Sequence, residues 1–237
     1  MSKNLKKLSL PLLIAGCLGA SFPVAALDAG DWLVRGRIIN INPDADSTDV
    51  KAGALGGASV PGTKVDVEDA WTLDIDITYM FTKNWGAELL LDISSKHDVT
   101  AKGETLKGLA SGTIIETRVL PPALILQYHF SPDAQIRPYV GLGANFTYFF
   151  SEDATSSLNN GLNGGNDISD VELDSSFGLV GQVGMDYDLG NDMFLNLDMK
   201  YMQIDTTATF TSAALGRVEA DVDINPWVFG IGIGKRF

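Results

Sequence analysis

The chain has 237 residues, with 17 Lys and Arg against 30 Asp and Glu, a formal charge of −13, and 45% hydrophobic residues. An acidic balance of that size excludes nucleic acid as a partner. The length suits one domain, and beyond residue 26 no apolar run is long enough for a membrane-spanning helix.

The first element in chain order reads as a leader. Lys3, Lys6 and Lys7 precede an apolar stretch over 8–20, and Val24, Ala25 and Ala26 suit signal-peptidase cleavage after Ala26. Pro11 and Pro23 argue against an uncleaved helical anchor. Ile14-Ala15-Gly16-Cys17 resembles a lipid-attachment box and gives a rival reading, but the site after Ala26 is better placed ahead of the first strand. The expected division is therefore a signal peptide over 1–26 and a mature domain over 27–237. Cleavage would remove three lysines, taking the charge from −13 to about −16, and would also remove the only cysteine. A thiol-free chain suits the oxidising periplasm and excludes disulfides, cysteine catalysis and cysteine metal sites together.

Eight strand-like segments follow, over 32–42, 65–81, 85–99, 113–130, 136–151, 173–189, 193–210 and 217–237. The connections at 82–84, 131–135 and 190–192 are short and carry turn-forming residues. Those at 43–64 and 152–172 are long, polar and glycine-rich. Short turns are expected at the periplasmic side and long loops outside. In the last segment Trp227, Phe229, Ile231, Ile233 and Phe237 share one face, while Gly230, Gly232, Gly234 and Arg236 share the other. The greasy face is the one that a soluble β-sandwich or lipocalin-like barrel would turn to water. The expected fold class is thus all-β: an eight-stranded antiparallel transmembrane β-barrel of the bacterial outer membrane, wrapped in outer-membrane lipid. Phe237 is the expected contact for the barrel-assembly machinery.

Parity assigns each residue to lipid or lumen. In the second segment Trp71, Leu73, Ile75, Ile77, Tyr79 and Phe81 alternate with Thr72, Asp74, Asp76, Thr78 and Met80. A lipid-facing carboxylate at mid-depth would cost a few kcal/mol, so Asp74 and Asp76 must point inward. The same argument turns Arg35, Arg37, Glu88, Asp92, Gln127, His129, Arg137, Gln182, Asp186, Asp198 and Lys200 inward. Strand direction then gathers Arg35, Arg37, Arg137, Lys200 and Arg236 against Asp74, Asp76, Glu88, Asp186, Asp188 and Asp198 near the periplasmic end. A barrel this narrow is filled by side chains, so these groups are expected to form a polar floor that plugs it. Inward glycines at 141, 143, 184, 230, 232 and 234 leave room for Tyr139 and the arginines.

Higher up, the inward positions become apolar: Ile39, Ile41, Leu90, Ala123, Ile125, Phe149, Val180, Met202, Ile204, Ile224 and Val228, with Asn145 and Thr147 as exceptions. Two readings stay open from these residues alone. Either they line a site that admits a small hydrophobic substrate, or they pack one another into a dry core.

Five motifs carry a resemblance. Leu120-Pro121-Pro122, Arg137-Pro138-Tyr139-Val140-Gly141 followed by Asn145-Phe146-Thr147-Tyr148-Phe149-Phe150, Gly181-Gln182-Val183-Gly184-Met185-Asp186-Tyr187, Asp205-Thr206-Thr207-Ala208 and Asn225-Pro226-Trp227-Val228-Phe229 occur in order with matching spacing. Over essentially the whole mature chain they resemble the outer membrane protein W family, which includes alkane-uptake relatives of the AlkL type. The resemblance implies an eight-stranded barrel whose hydrophobic channel passes small apolar molecules from outside, with a lateral exit into the membrane. Two positions depart from the family pattern. Lys235 stands where relatives tend to have an aromatic residue. Lys200 stands where a large apolar or aromatic residue is common, so it either narrows the substrate range or joins the polar floor. A sideways exit needs a weak place in the wall, and Pro121-Pro122 either offers one, because neither residue can donate a ladder hydrogen bond, or is a tolerated bulge near the rim.

Enzymatic chemistry finds little support. The histidines are His97, near a loop, and His129, near the floor. Ser94 and Ser95 lie close to His97, but adjacent strand residues alternate across the wall and no motif assembles a nucleophile with a base. No cofactor is expected. The stretch 44–49 begins like a calcium loop but lacks the turn glycine and the later glutamate, and Gly164-Gly165-Asn166-Asp167 is one fragment of a repeat-type calcium motif. The alternative function is a non-transporting barrel that acts as a surface receptor or adhesin, or that stabilises the envelope. Convergence of Leu90, Ile125, Phe149 and Ile204 distinguishes a channel from these.

Overall fold

The computed structural model describes residues 26–92 and 95–237, so residues 1–25 of the expected leader, with Cys17, and Ser94 lie outside the described residues. Eight wall strands run up and down in turn. β1 is Trp32–Asn42; β2 runs through Val65–Val67 and Ala70–Met80; β3 through Trp85–Asp92 and Ser95–Ala101; β4 through Thr113–Leu120 and Ala123–His129. β5 is Ile136–Ala154; β6 runs through Ser169–Leu173 and Ser176–Gly190; β7 through Met193–Met202 and Asp205–Ser212; β8 through Gly216–Asp223 and Trp227–Arg236. Each pairs antiparallel with its neighbours, and β8 returns to β1 along a register from Leu33–Arg236 to Asn42–Trp227. Reciprocal backbone bonds of 3.0 and 2.9 Å between Trp32 and Phe237 fasten this closure at the end that carries the short turns. Closure leaves no free edge strand, which a sheet in hydrocarbon requires.

The pleat sorts the two faces. Inward residues are buried and outward ones are exposed apolar side chains, Trp71 and Phe177 reaching 71% and 74%. Such a belt is tolerable only against lipid. Aromatic girdles mark its limits. Trp32, Tyr79 and Phe81 stack in sequence near the short turns, with Trp85, Tyr128 and Phe130 beside them, while Tyr148–Phe150 and Tyr201–Trp227 lie toward the other rim.

The loop segments differ from the irregular, solvated connections expected. Residues 43–64 contribute short strands at Asp46–Ser47, Lys51–Ala52 and Ala58–Ser59 that continue the wall upward. Two helices, α1 (Glu104–Leu109) and α2 (Ser156–Asn163), sit within the connections above the barrel. The physical reason is a second apolar core, in which Val50, Leu106, Leu158 and Leu162 bury against Ile114, Ile115, Val218 and Val222. β5 accordingly runs on to Ala154, past its expected end at 151.

Two places interrupt the wall. Between β3 and β4 the described residues pair as far as Leu90–Ala123 and resume, one residue out of step, at Ser95–Val119. The intervening β4 residues are Leu120, Pro121 and Pro122. On its other side β4 stays attached: Phe146 N donates to the Pro122 carbonyl at 3.0 Å and Tyr148 pairs with Leu120. Between β5 and β6 the ladder among the described residues ends at Thr147–Ser176, above which Phe149 and Leu173 belong to one apolar cluster.

Candidate functional site

The lower lumen is an ion lattice. Arg35 forks onto Asp186 with its Nε and Nη2 at 3.3 and 2.9 Å, donates to Thr78 at 2.7 Å and reaches Glu88 at 3.5 Å. Arg37 lies 2.5 Å from Asp74, 2.6 Å from Asp76 and 3.0 Å from Asp198. Lys200 pairs with Asp198 at 2.6 Å and Glu88 at 3.5 Å. Gln127 and Gln182 each donate to Glu88, at 2.7 and 2.9 Å, and Tyr139 and Gln182 both donate to Asp198. Charges taken out of water need this density of partners. All of these side chains are buried, with Arg35 and Lys200 at 0% exposure.

Small residues make the lattice possible. A Cβ on Gly184 would enter the Tyr139 ring, and one on Gly232 would enter Arg37 and the Gly36 carbonyl. Arg137 pairs with Asp188 at 2.9 Å. Arg236 differs from its expected place: it is partly exposed at the periplasmic rim, held by Asp192, Asp31 and the Ala26 carbonyl, because its position follows the last lumen-filling glycine. Beneath the charges lies a feature that parity reasoning missed, a small apolar plug of Leu27, Leu33, Met80 and Phe194. Phe194 presents its ring to the Arg35 and Arg137 guanidinium groups, at 5.4 and 5.7 Å. Its alternation with Leu195 and Leu197 was a readable signal.

Above the lattice is a cavity of about 220 Å³. Of the residues expected in an apolar lumen, Ile39, Ile41, Leu90, Phe149, Met202, Ile204, Ile224 and Val228 line it. Ala123, Ile125 and Val180 belong to the same packed cluster but do not reach the cavity surface. Asp74 and Lys200 form its base, so the lattice is its floor. Its roof is built by residues with no strand signal: Leu106 and Leu109 of α1 and Leu158 and Leu162 of α2. The spacing of Leu158 and Leu162 on one helix face is the sole sequence mark of that lid. Ser157 ties α2 to the first helical connection, accepting from Ser111 N at 3.0 Å and donating to Ser111 O at 2.8 Å. At the side, the cavity reaches the β3–β4 interruption, where Leu90, Asp92, Ser95, Val119 and Pro121 line it.

The histidines stand apart. His97 lies in the cavity wall with Nε2 3.0 Å from Ser95 Oγ, whereas His129 is buried in the floor against Gln127. Among the described residues no group of three or more His, Cys, Asp or Glu has metal-binding geometry.

Comparison with known proteins agrees with this architecture. The chain is 38% identical over 219 residues to outer membrane protein W of Vibrio cholerae, covering 92% of this chain and 94% of that one. The crystal structure of outer membrane protein OprG from Pseudomonas aeruginosa superposes with a TM-score of 0.80 at 35% identity, covering 90% of this chain and 98% of that one. The solid-state NMR structure of outer membrane protein AlkL in lipid bilayers gives 0.67 at 25% identity, covering 90% and 92%. The model of the OmpW family matches residues 28–237, which takes in all eight wall strands, the ion lattice and the roofed cavity, and the chain therefore belongs to that family of outer-membrane barrels.

Proposed function

We propose that this barrel takes up small hydrophobic molecules from outside and releases them sideways into the membrane. The observation that carries the reading is the apolar cavity of about 220 Å³, closed below by the Arg37–Asp74–Asp198–Lys200 lattice yet touching the wall at Pro121. An apolar void of about 150 Å³ already accepts benzene, so this one suits a molecule somewhat larger. A ligand here exchanges dispersion contacts with Ile39, Met202 and Val228 without breaking a hydrogen bond. Downward escape would require separating buried ion pairs, whereas among the described residues the β3–β4 ladder skips Pro121 and Pro122, which have no backbone N–H to donate. Two supporting roles go with this reading: the leader over 1–26 directs export, and Phe237 engages the assembly machinery.

The test is outer-membrane uptake of n-octane by cells with and without the protein, beside a small polar solute. Stimulation of octane alone is expected. Equal passage of both solutes would mean a water-filled pore, and stimulation of neither would favour a receptor or stabilising role. Replacing both prolines (Pro121→Val and Pro122→Val) should slow octane uptake severalfold while heat-modifiable mobility still reports a folded barrel. An unchanged rate would move the exit to the β5–β6 seam, above the end of the ladder at Thr147–Ser176.

A further inference from the structure

The cavity's polar residues are not spread evenly, and their placement bears on what it selects. Asp74 and Lys200 belong to the floor and are engaged there. Thr63 and Thr206 donate their hydroxyls to the Val60 and Asp174 carbonyls, at 2.5 and 2.7 Å. The remaining four, Asp92, Ser95, His97 and Thr117, all lie on β3 and β4 beside the wall interruption, and all are buried. His97 and Thr117 are direct cross-strand partners, and Ser95 stands opposite Val119 on the same face.

Burying such groups in an apolar wall costs free energy unless their hydrogen bonds are completed. Their internal bonding leaves capacity over. Ser95 Oγ lies 3.0 Å from His97 Nε2 and 3.5 Å from Asp92 Oδ2, and among the described residues the Thr117 hydroxyl donates to the Arg118 carbonyl at a long 3.4 Å. Each hydroxyl carries one donor and two acceptor sites, so Ser95 and Thr117 can serve a further partner in the cavity.

We propose that Ser95, His97 and Thr117 form a hydrogen-bonding subsite at the lateral opening that selects hydrophobes bearing one neutral polar group, such as an alcohol or ketone. This deepens the uptake reading and rests on it. The apolar body of the ligand lies among Ile39, Met202 and Val228 while its polar end faces β3–β4, so the molecule reaches the opening head first. A carboxylate end is disfavoured, because it would sit beside Asp92 and because Lys200, the cation on the described cavity surface, is already held by Asp198 and Glu88.

The experiment compares protein-dependent uptake of n-octane, 1-octanol and octanoate, at equal free concentrations, by cells expressing the full chain or the double variant His97→Phe and Thr117→Val. The expected result is a preference for octanol over octane of roughly two- to tenfold, the range that one net hydrogen bond sustains, with octanoate below both. The double variant should bring octanol uptake down to the level of its own octane uptake, so that the octanol-to-octane ratio falls to about one whatever the absolute rate. If the double variant fails to assemble, the nearly isosteric Thr117→Val alone should show a smaller fall in the same ratio. Equal uptake of octane and octanol by the native protein, or a preference that survives the substitutions, overturns the subsite and leaves hydrophobe uptake standing. Absence of any protein-dependent uptake overturns both together.

Discussion

The lower and upper halves of the lumen share one wall and one parity, yet they are filled by opposite physics. Below, Arg35, Arg37 and Lys200 are each fixed by two or more acceptors at short range. Above, Ile39, Met202 and Val228 touch neighbours through contacts that any apolar group could replace. Directional bonds between charges tolerate no vacancy, since an unpaired buried ion is costly. Dispersion contacts tolerate a void, and the roughly 220 Å³ left open lies wholly in the upper half. A narrow barrel can therefore be a plug and a receptacle at once, with the boundary set where Lys200 gives way to Met202 along β7.

The sharpest way to break this contrast is Arg37→Ala. It removes the paired cation of Asp74 and Asp76 and leaves Asp198 to Lys200 alone, and removing one member of a buried ion cluster costs about 3–5 kcal/mol. Urea unfolding of the barrel in lipid vesicles should show that loss, and planar bilayers should show a new ion leak through the loosened floor. A variant as stable and as tight as the native protein would mean that the lattice neither braces nor seals.

A weaker effect on stability and a strong one on transport are expected from Ile204→Phe in the upper half. The added ring occupies the void instead of displacing packed atoms, so stability should move by less than about 1.5 kcal/mol, in keeping with core changes that respect available volume. Octane uptake should fall severalfold because the receptacle is filled. Retention of full uptake would show that cargo does not pass through this cavity.

Much of this division was legible before any coordinates. Asp74 and Asp76 alternate with Trp71, Leu73 and Ile75, and the cost of a charge in lipid leaves one permissible register. Lys200 and Met202 share the lumen face of β7, so the change from charge to grease could be read as well. The lid could not, because α1 and α2 are six and eight residues long, set in polar connections, and are fixed by burial of Leu106, Leu158 and Leu162 against strands distant in sequence. Nor could the exclusion of Ile125 and Val180 from the cavity surface, which depends on how neighbouring side chains cover them. Parity gives the direction of a side chain; only packing decides whether it meets a neighbour or a void.

The smallest effect belongs to the rim, where charges are neither buried as in the floor nor absent as in the cavity. Lys64 Nζ lies 2.9 Å from Asp46, and this contact, aided by the Ser47 backbone amide, holds the Asp46 carboxyl below its ordinary range while the Lys64 ammonium is held above its own. A lowered carboxyl pKa contributes stability above the unfolded value, and that contribution is lost as pH falls through the folded one. The pair should therefore act at neutral pH and vanish in acid. Both side chains are solvated, so salt should screen them. Lys64→Ala is expected to leave unfolding at neutral pH almost unmoved and to abolish what little difference salt makes there, while Arg37→Ala keeps its full penalty at any ionic strength. A large, salt-sensitive loss on removing Lys64 would mean that the extracellular extension of the wall is held by charge pairs, and not by the apolar core of Val50, Leu158 and Val218 beneath it.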